Sequence, residues 1–215
     1  MASAVIVPPV HTEAANKAVA ELGGNIAQVL EDLGAVLSRR TSYEVLNEIY
    51  WRARGSYAVS WGDRTRPWTT TPTSRGAFGW TNDNPATPQA TKFRDFTDGL
   101  SNCLLMSEVL LPRIDATWDG RGDFLNDDGN FANFQFMTIN TPNSGVDVNQ
   151  CVASGDPAMP CVAGAQRHDA ARSRHVGGVH TLIGDGTVRF VSDNIDLATW
   201  RGLSTIDGSE VVGDY

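Results

Sequence analysis

Histidine is the side chain that changes charge near neutral pH and the commonest metal ligand, so the four in this chain come first. They are His11, His168, His175 and His180. His168-Asp169 and His175 stand close in sequence to Ser173 and Asp185, which invites a Ser-His-Asp arrangement for hydrolysis. No Gly-x-Ser-x-Gly elbow or other nucleophile setting accompanies them, so no catalytic residue is assigned and the chain is read as a non-enzyme. As metal ligands, His175 and His180 have no evident third partner in the sequence. A neutral histidine bonded to the backbone of a turn explains them better. Arg172 and Arg174, just before His175, are expected to pair with Asp185 or with the acidic stretch 115–128, pinning a loop to a hairpin.

That acidic stretch is the second place to look for chemistry. Asp115, Asp119, Asp123, Asp127 and Asp128 fall in one glycine-bearing segment, and Asn126-Asp-Asp-Gly-Asn130 has the composition of a calcium loop. The bidentate Glu that an EF-hand requires at its twelfth position is missing. What remains is either a calcium site of another kind built from Asp119, Asp123, Asp127 and Asp128, or a set of surface Asx-turns. Apart from calcium, no cofactor is expected, because no glycine-rich phosphate loop follows a strand and opens a helix. Trp61, Trp68 and Trp80, beside Arg64 and Arg66, could stack on a sugar, or could simply pack within strands.

Composition narrows the class. The chain has 215 residues, 41% of them hydrophobic and 20% charged, which is globular rather than disordered. A formal net charge of −8 argues against nucleic-acid binding and against docking on anionic lipid, both of which need a basic face. There are three cysteines. Cys151 and Cys161 bracket a polar, turn-rich loop and are expected to form a disulfide, stabilising by roughly 2–3 kcal/mol; the alternative is two reduced thiols. A disulfide favours an oxidising compartment, so an extracellular or envelope location is expected. Cys103 lies in an apolar run and reads as a buried free thiol.

Elements that position these residues follow from periodicity. Val19, Leu22, Ile26, Val29, Leu33 and Val36 are spaced by alternating steps of three and four, which predicts an amphipathic helix over about 13–37. A second short helix is expected from Tyr43 to about Trp51. Strands are expected at Ser56–Trp61, in the apolar run Leu104–Leu111 as a buried central strand, and at Phe134–Asn140. Glycines near Arg75–Trp80 mark close approach of backbone. Val179–Ile183 and Thr187–Val191 alternate as two arms of a hairpin, with Gly184-Asp185-Gly186 between them as a type I′ turn. A cap at Ser192 or Asp193 is expected to open a short C-terminal helix carrying Trp200, and 210–215 an edge strand. Two parts result: an N-terminal helical segment, 1–50, and a β-rich domain, 51–215.

His175, nine intervening residues and then Asp185-Gly186 make an H-x9-DG pattern. Together with Thr97-Asp-Gly-Leu-Ser-Asn102 and the run to Glu108, Asn140-Thr-Pro-Asn-Ser144, Ala171-Arg-Ser-Arg-His175-Val-Gly-Gly178 and Val188-Arg-Phe-Val-Ser-Asp-Asn-Ile-Asp196, it resembles the bacterial prepilin-type, processing-associated H-x9-DG proteins. The resemblance spans roughly residues 55–215. It implies an α+β fold, with an N-terminal helix on an antiparallel, pilin-like sheet with long loops. It also implies an exported structural subunit of a filament that associates with itself or with related pilin-like subunits. His175, Asp185, Gly186, Arg172 and Arg174 are then structural, and the Val19–Val36 stripe is an assembly helix. The basic leader and long apolar helix of that family have no counterpart in residues 1–50, so membrane insertion is expected only if an apolar leader precedes this sequence. The alternative function is an extracellular module for glycan or calcium, using the three tryptophans and the 115–128 carboxylates.

Overall fold

The computed structural model describes residues 37–45, 48–66, 75–80, 87, 89–112, 119–123, 134–149, 151 and 156–209, with 37–45 and 48–53 as backbone only. The helix expected over 13–37, with its stripe Val19, Leu22, Ile26, Val29, Leu33 and Val36, therefore lies outside the described residues, as do Trp68, Asp127, Asp128 and the 210–215 tail.

The described chain opens with an antiparallel hairpin, β1 (Leu37–Val45) and β2 (Glu48–Gly55), in which Tyr43 faces Tyr50 and Ser42 faces Trp51. The short helix expected over Tyr43–Trp51 is thus corrected to strand. Thr41, Tyr43, Val45, Ile49, Tyr50 and Trp51 are β-branched or aromatic, and such side chains lose rotamer freedom in a helix but suit a pleated ladder.

A five-stranded sheet carries the domain. It contains β3 (Tyr57–Ser60), β4 (Leu104–Glu108), β5 (Gln135–Phe136), β8 (Gly178–Ile183) and β9 (Val188–Ser192), in the order β5-β3-β4-β8-β9. β4 is central, as its apolar run predicted. The sheet is mixed rather than purely antiparallel, because β5 runs parallel to β3. A separate two-stranded parallel ladder joins β6 (Asp147–Asn149) to β7 (Cys161–Ala163), beside the Cys151–Cys161 disulfide. Its two cysteine Cα atoms are 6.3 Å apart.

One face of the main sheet is the core. Ala58, Leu104, Val179, Ile183 and Val191 point to it and meet Phe136, Ala171, Trp200 and Leu203. Burying side chains of this size stabilises by about 1.5–3 kcal/mol each. Trp200 and Leu203 come from α1 (Leu197–Leu203), and the Trp200 indole N–H donates to the Asn140 carbonyl at 3.0 Å. α1 starts later than expected. Asp196 is its cap, accepting from the Thr199 N–H at 3.0 Å, because Ser192 still belongs to β9 and the Asp193 carboxylate instead accepts from Asn143 at 2.7 Å. Cys103 is buried as a thiol that donates to the Gly99 carbonyl at 3.2 Å, and Gly76 passes so close to Gly62 that a Cβ would sit 2.7 Å from the Gly62 nitrogen.

The hairpin arms β8 and β9 form in register, His180 opposite Phe190 and Leu182 opposite Val188. Their connection is not type I′, which needs positive φ at both Asp185 and Gly186. Only Gly186 is left-handed (φ 87°). Ile183 N–H bonds to Thr187 O and Gly186 N–H to Ile183 O, both at 2.9 Å, which defines a three-residue loop of the type I plus G1 bulge kind. The Asp185 carboxylate selects it by accepting from the Thr187 N–H at 2.9 Å and hydroxyl at 2.7 Å.

Candidate functional site

His175 and Asp185 stand at opposite ends of β8, a six-residue strand of about 20 Å, so the two ends of the H-x9-DG pattern do not meet. His175 meets Glu108 instead. Glu108 ends β4, and strand alternation puts it on the face of the sheet opposite the core, beside His180 of β8. One Glu108 oxygen lies 3.1 Å from His175 Nε2. The other accepts the His180 backbone N–H at 2.7 Å and lies 3.5 Å from His180 Nδ1. The two imidazoles touch edge to face with centroids 4.8 Å apart, and Phe190 packs against His180 at 5.1 Å. The third partner that the sequence did not reveal is therefore a glutamate 67 residues upstream of His175.

Ser173 is engaged with the backbone on both sides. Its hydroxyl donates to the Gly178 carbonyl at 2.7 Å and accepts the His175 N–H at 3.1 Å, forming a small clasp on the approach to β8. Asn143 holds the same approach from outside. In the left-handed region (φ 56°), it accepts the Ser173 N–H at 2.8 Å while its amide donates to Asp193. Asn143 belongs to the Asn140–Ser144 stretch, whose role was not assigned from sequence.

A buried charge network lies beneath. Asp147, at the start of β6, accepts from Arg121 Nη1 at 2.9 Å, from Arg172 Nη2 at 2.9 Å and from the Ala170 N–H at 3.1 Å. Arg121 also grips Asp119 through Nη2 at 2.7 Å and Nε at 3.1 Å. All four side chains are nearly wholly buried. The pairing expected for Arg172 and Arg174 is corrected accordingly. Arg172 binds Asp147, and Arg174 binds Asp156 at 2.6 Å; among the described residues neither pairs with Asp185, Asp119 or Asp123. Burial opposes the Arg121 charge, but the hydrogen bonds and charges of Asp119 and Asp147 outweigh it and hold its pKa above the ordinary arginine value.

Of the four aspartates named for calcium, two are described. Asp119 pairs with Arg121, and Asp123 is buried, its backbone bridged to that of Arg54. Trp61 is buried, packed edge-on against Trp80 at 5.3 Å, and the Arg66 guanidinium covers the Trp80 ring at 3.7 Å. The Trp61 ring is thereby closed to solvent, and one face of Trp80 is covered.

Asp169 sits beside the network and, among the described residues, forms no ion pair. Burial pushes its carboxyl well above the usual range, the Asp147 charge adds to that, and Asn149 donates to one oxygen at 2.6 Å. A raised folded-state pKa means the native state binds this proton more tightly than the unfolded chain does. The contribution of Asp169 to stability is therefore full below about pH 4 and is lost as pH rises toward the raised value. Asp169→Asn mimics the protonated form, so it is expected to raise the melting temperature at pH 7 and to flatten its decline between pH 4 and 8. A variant less stable than the parent at pH 7 with an unchanged pH slope would contradict this.

A family model described as "Protein of unknown function (DUF1559)" matches residues 24–198. No curated protein and no solved structure matches the chain.

Proposed function

The chain belongs to the DUF1559 family, a family of bacterial envelope proteins, and on that premise we propose that it is an exported, self-assembling structural subunit of pilin or pseudopilin kind. The observation that carries this reading is the free edge of the main sheet. Among the described residues β9 pairs only with β8, and its outward side chains Val188 and Phe190 are 65% and 47% exposed. An edge strand with exposed apolar side chains is a template for another chain. The stripe Val19, Leu22, Ile26, Val29, Leu33 and Val36 offers a second apolar surface of helical period. The Cys151–Cys161 disulfide suits an oxidising compartment, and no helix among the described residues is long and apolar enough to cross a membrane.

Val188→Lys tests the edge. A lysine on an edge strand blocks strand-to-strand pairing, while substitution at so exposed a position shifts stability by no more than about 0.5 kcal/mol. Light scattering at high protein concentration is expected to fall sharply against the parent chain at an unchanged unfolding midpoint. Equal scattering from the two proteins would remove the edge from the account.

A further inference from the structure

We propose that Glu108, His175 and His180 form a binding site for a divalent transition-metal ion of the zinc class. This goes beyond the assembly role above and does not depend on it. The three side chains each offer one ligand atom, and these atoms all lie within 4.8 Å of one another. Around a tetrahedral zinc ion with bonds of about 2.0–2.2 Å, neighbouring ligand atoms are separated by roughly 3.4 Å. Glu108 Oε1 lies 3.1 Å from His175 Nε2 and Glu108 Oε2 lies 3.5 Å from His180 Nδ1, so each imidazole stands near that separation from one of the two carboxylate oxygens. Binding one ion requires the imidazoles and the carboxylate to turn toward a common centre, closing ligand separations of up to 4.8 Å.

The donor set selects the metal. Two imidazole nitrogens and one carboxylate suit zinc, cobalt, nickel or copper, whereas calcium and magnesium prefer all-oxygen shells. Three protein ligands leave at least one position for water. The histidine side chains are 53% and 41% exposed, so an ion can enter, and Glu108 and His175 also line an open hollow of about 270 Å³.

Groups behind the ligands hold them in place, as outer partners do in built metal sites. The Glu108 carboxylate is oriented by the His180 N–H at 2.7 Å, the His175 backbone is tied to Ser173, and the His180 ring rests on Phe190. Glu108 ends the central strand while His175 precedes the hairpin. An ion there would cross-link the two and add to the stability of the folded state by mass action.

The test uses the untagged chain, stripped with chelator and titrated with zinc chloride. With only four histidines, their ring proton resonances report the site directly. One equivalent of zinc is expected to shift the His175 and His180 signals and leave His11 and His168 unchanged, with assignments from His175→Gln and His180→Gln. Cobalt in place of zinc is expected to give visible absorption bands. Glu108→Gln should weaken zinc binding by at least about ten-fold, the loss that even an outer-shell partner costs, with circular dichroism confirming an unchanged fold. No shift of either signal at several equivalents, or shifts confined to His11 and His168, would overturn the proposal. The first arm reads the unsubstituted protein, so a variant that misfolds does not shield the claim.

Discussion

Asp147→Ala is expected to cost about 3–5 kcal/mol in denaturant unfolding, the loss typical of removing one partner from a buried ion pair. The expectation rests on what the carboxylate leaves behind. Arg121 and Arg172 both donate to it from positions only 3% exposed, and the Ala170 N–H is a third donor. Arg121 would retain Asp119, but Arg172 would keep only carbonyl partners, those of Ser144, Gly145 and Ala158. A guanidinium so placed cannot shed its proton and cannot reach water, so the fold must pay its desolvation or open. Asp185→Ala is the control. Asp185 is exposed, and hydrogen bonds from Thr187, with a further one from the Ser101 side chain, hold its carboxyl below the usual range. Its loss should cost about 1 kcal/mol or less. If Asp147→Ala proved as mild as Asp185→Ala, the network would not be what fastens the 144–172 loops to the sheet.

Replacing both Cys151 and Cys161 by serine is expected to cost about 2–3 kcal/mol, from the loop entropy returned to the unfolded chain. The disulfide and the charge network touch the same ladder, since Cys161 is the cross-strand partner of Asp147. Their effects should therefore not add. Combined with Asp147→Ala, the double serine variant should lose less than the sum of the two, by about 0.5–3 kcal/mol of coupling. Strict additivity would mean that β6 and β7 hold together without either device, and a serine pair as stable as the parent would make the bridge incidental.

The sequence revealed elements whose signal is local. The alternation at 179–183 and 187–191, the apolar run that became β4, the cysteine pair and the buried Cys103 all declare themselves within a few residues. What it concealed depends on sheet register. Glu108 reaches His175 and His180 because β4 lies beside β8, a pairing no window of ten residues contains. Nothing local singles out Asp147, and only the fold shows two arginines from different segments converging on it. The Gly184-Asp185-Gly186 loop departs from a type I′ turn for a subtler reason. Asp-Gly suits a type I′ turn, but bonding Ile183 to Thr187 adds a loop residue and needs positive φ at Gly186 alone. The segment Tyr43–Trp51 is strand rather than helix because its run of β-branched and aromatic residues favours a pleated ladder. The C-terminal helix showed the opposite problem, with several capping residues in a row and the choice of Asp196 made by tertiary contacts of Asp193.

The 171–178 stretch gains a definite role from these contacts. Ser173, Asn143 and Glu108 clasp it from three sides, and a Cβ at Gly178 would fall 2.1 Å from the Val191 carbonyl oxygen. Close approach of this kind requires glycine and sets the register in which β9 presents Val188 and Phe190 outward. The edge proposed for assembly is thus fixed by residues that touch none of its partners.

Sedimentation velocity of the oxidised, untagged chain over a wide concentration range, with electron microscopy of the same samples, tests the central claim most directly. A self-assembling subunit predicts a sedimentation coefficient that climbs with concentration and regular oligomers or filaments on the grid. A single monomeric boundary at the highest concentration, with a featureless grid, would contradict it.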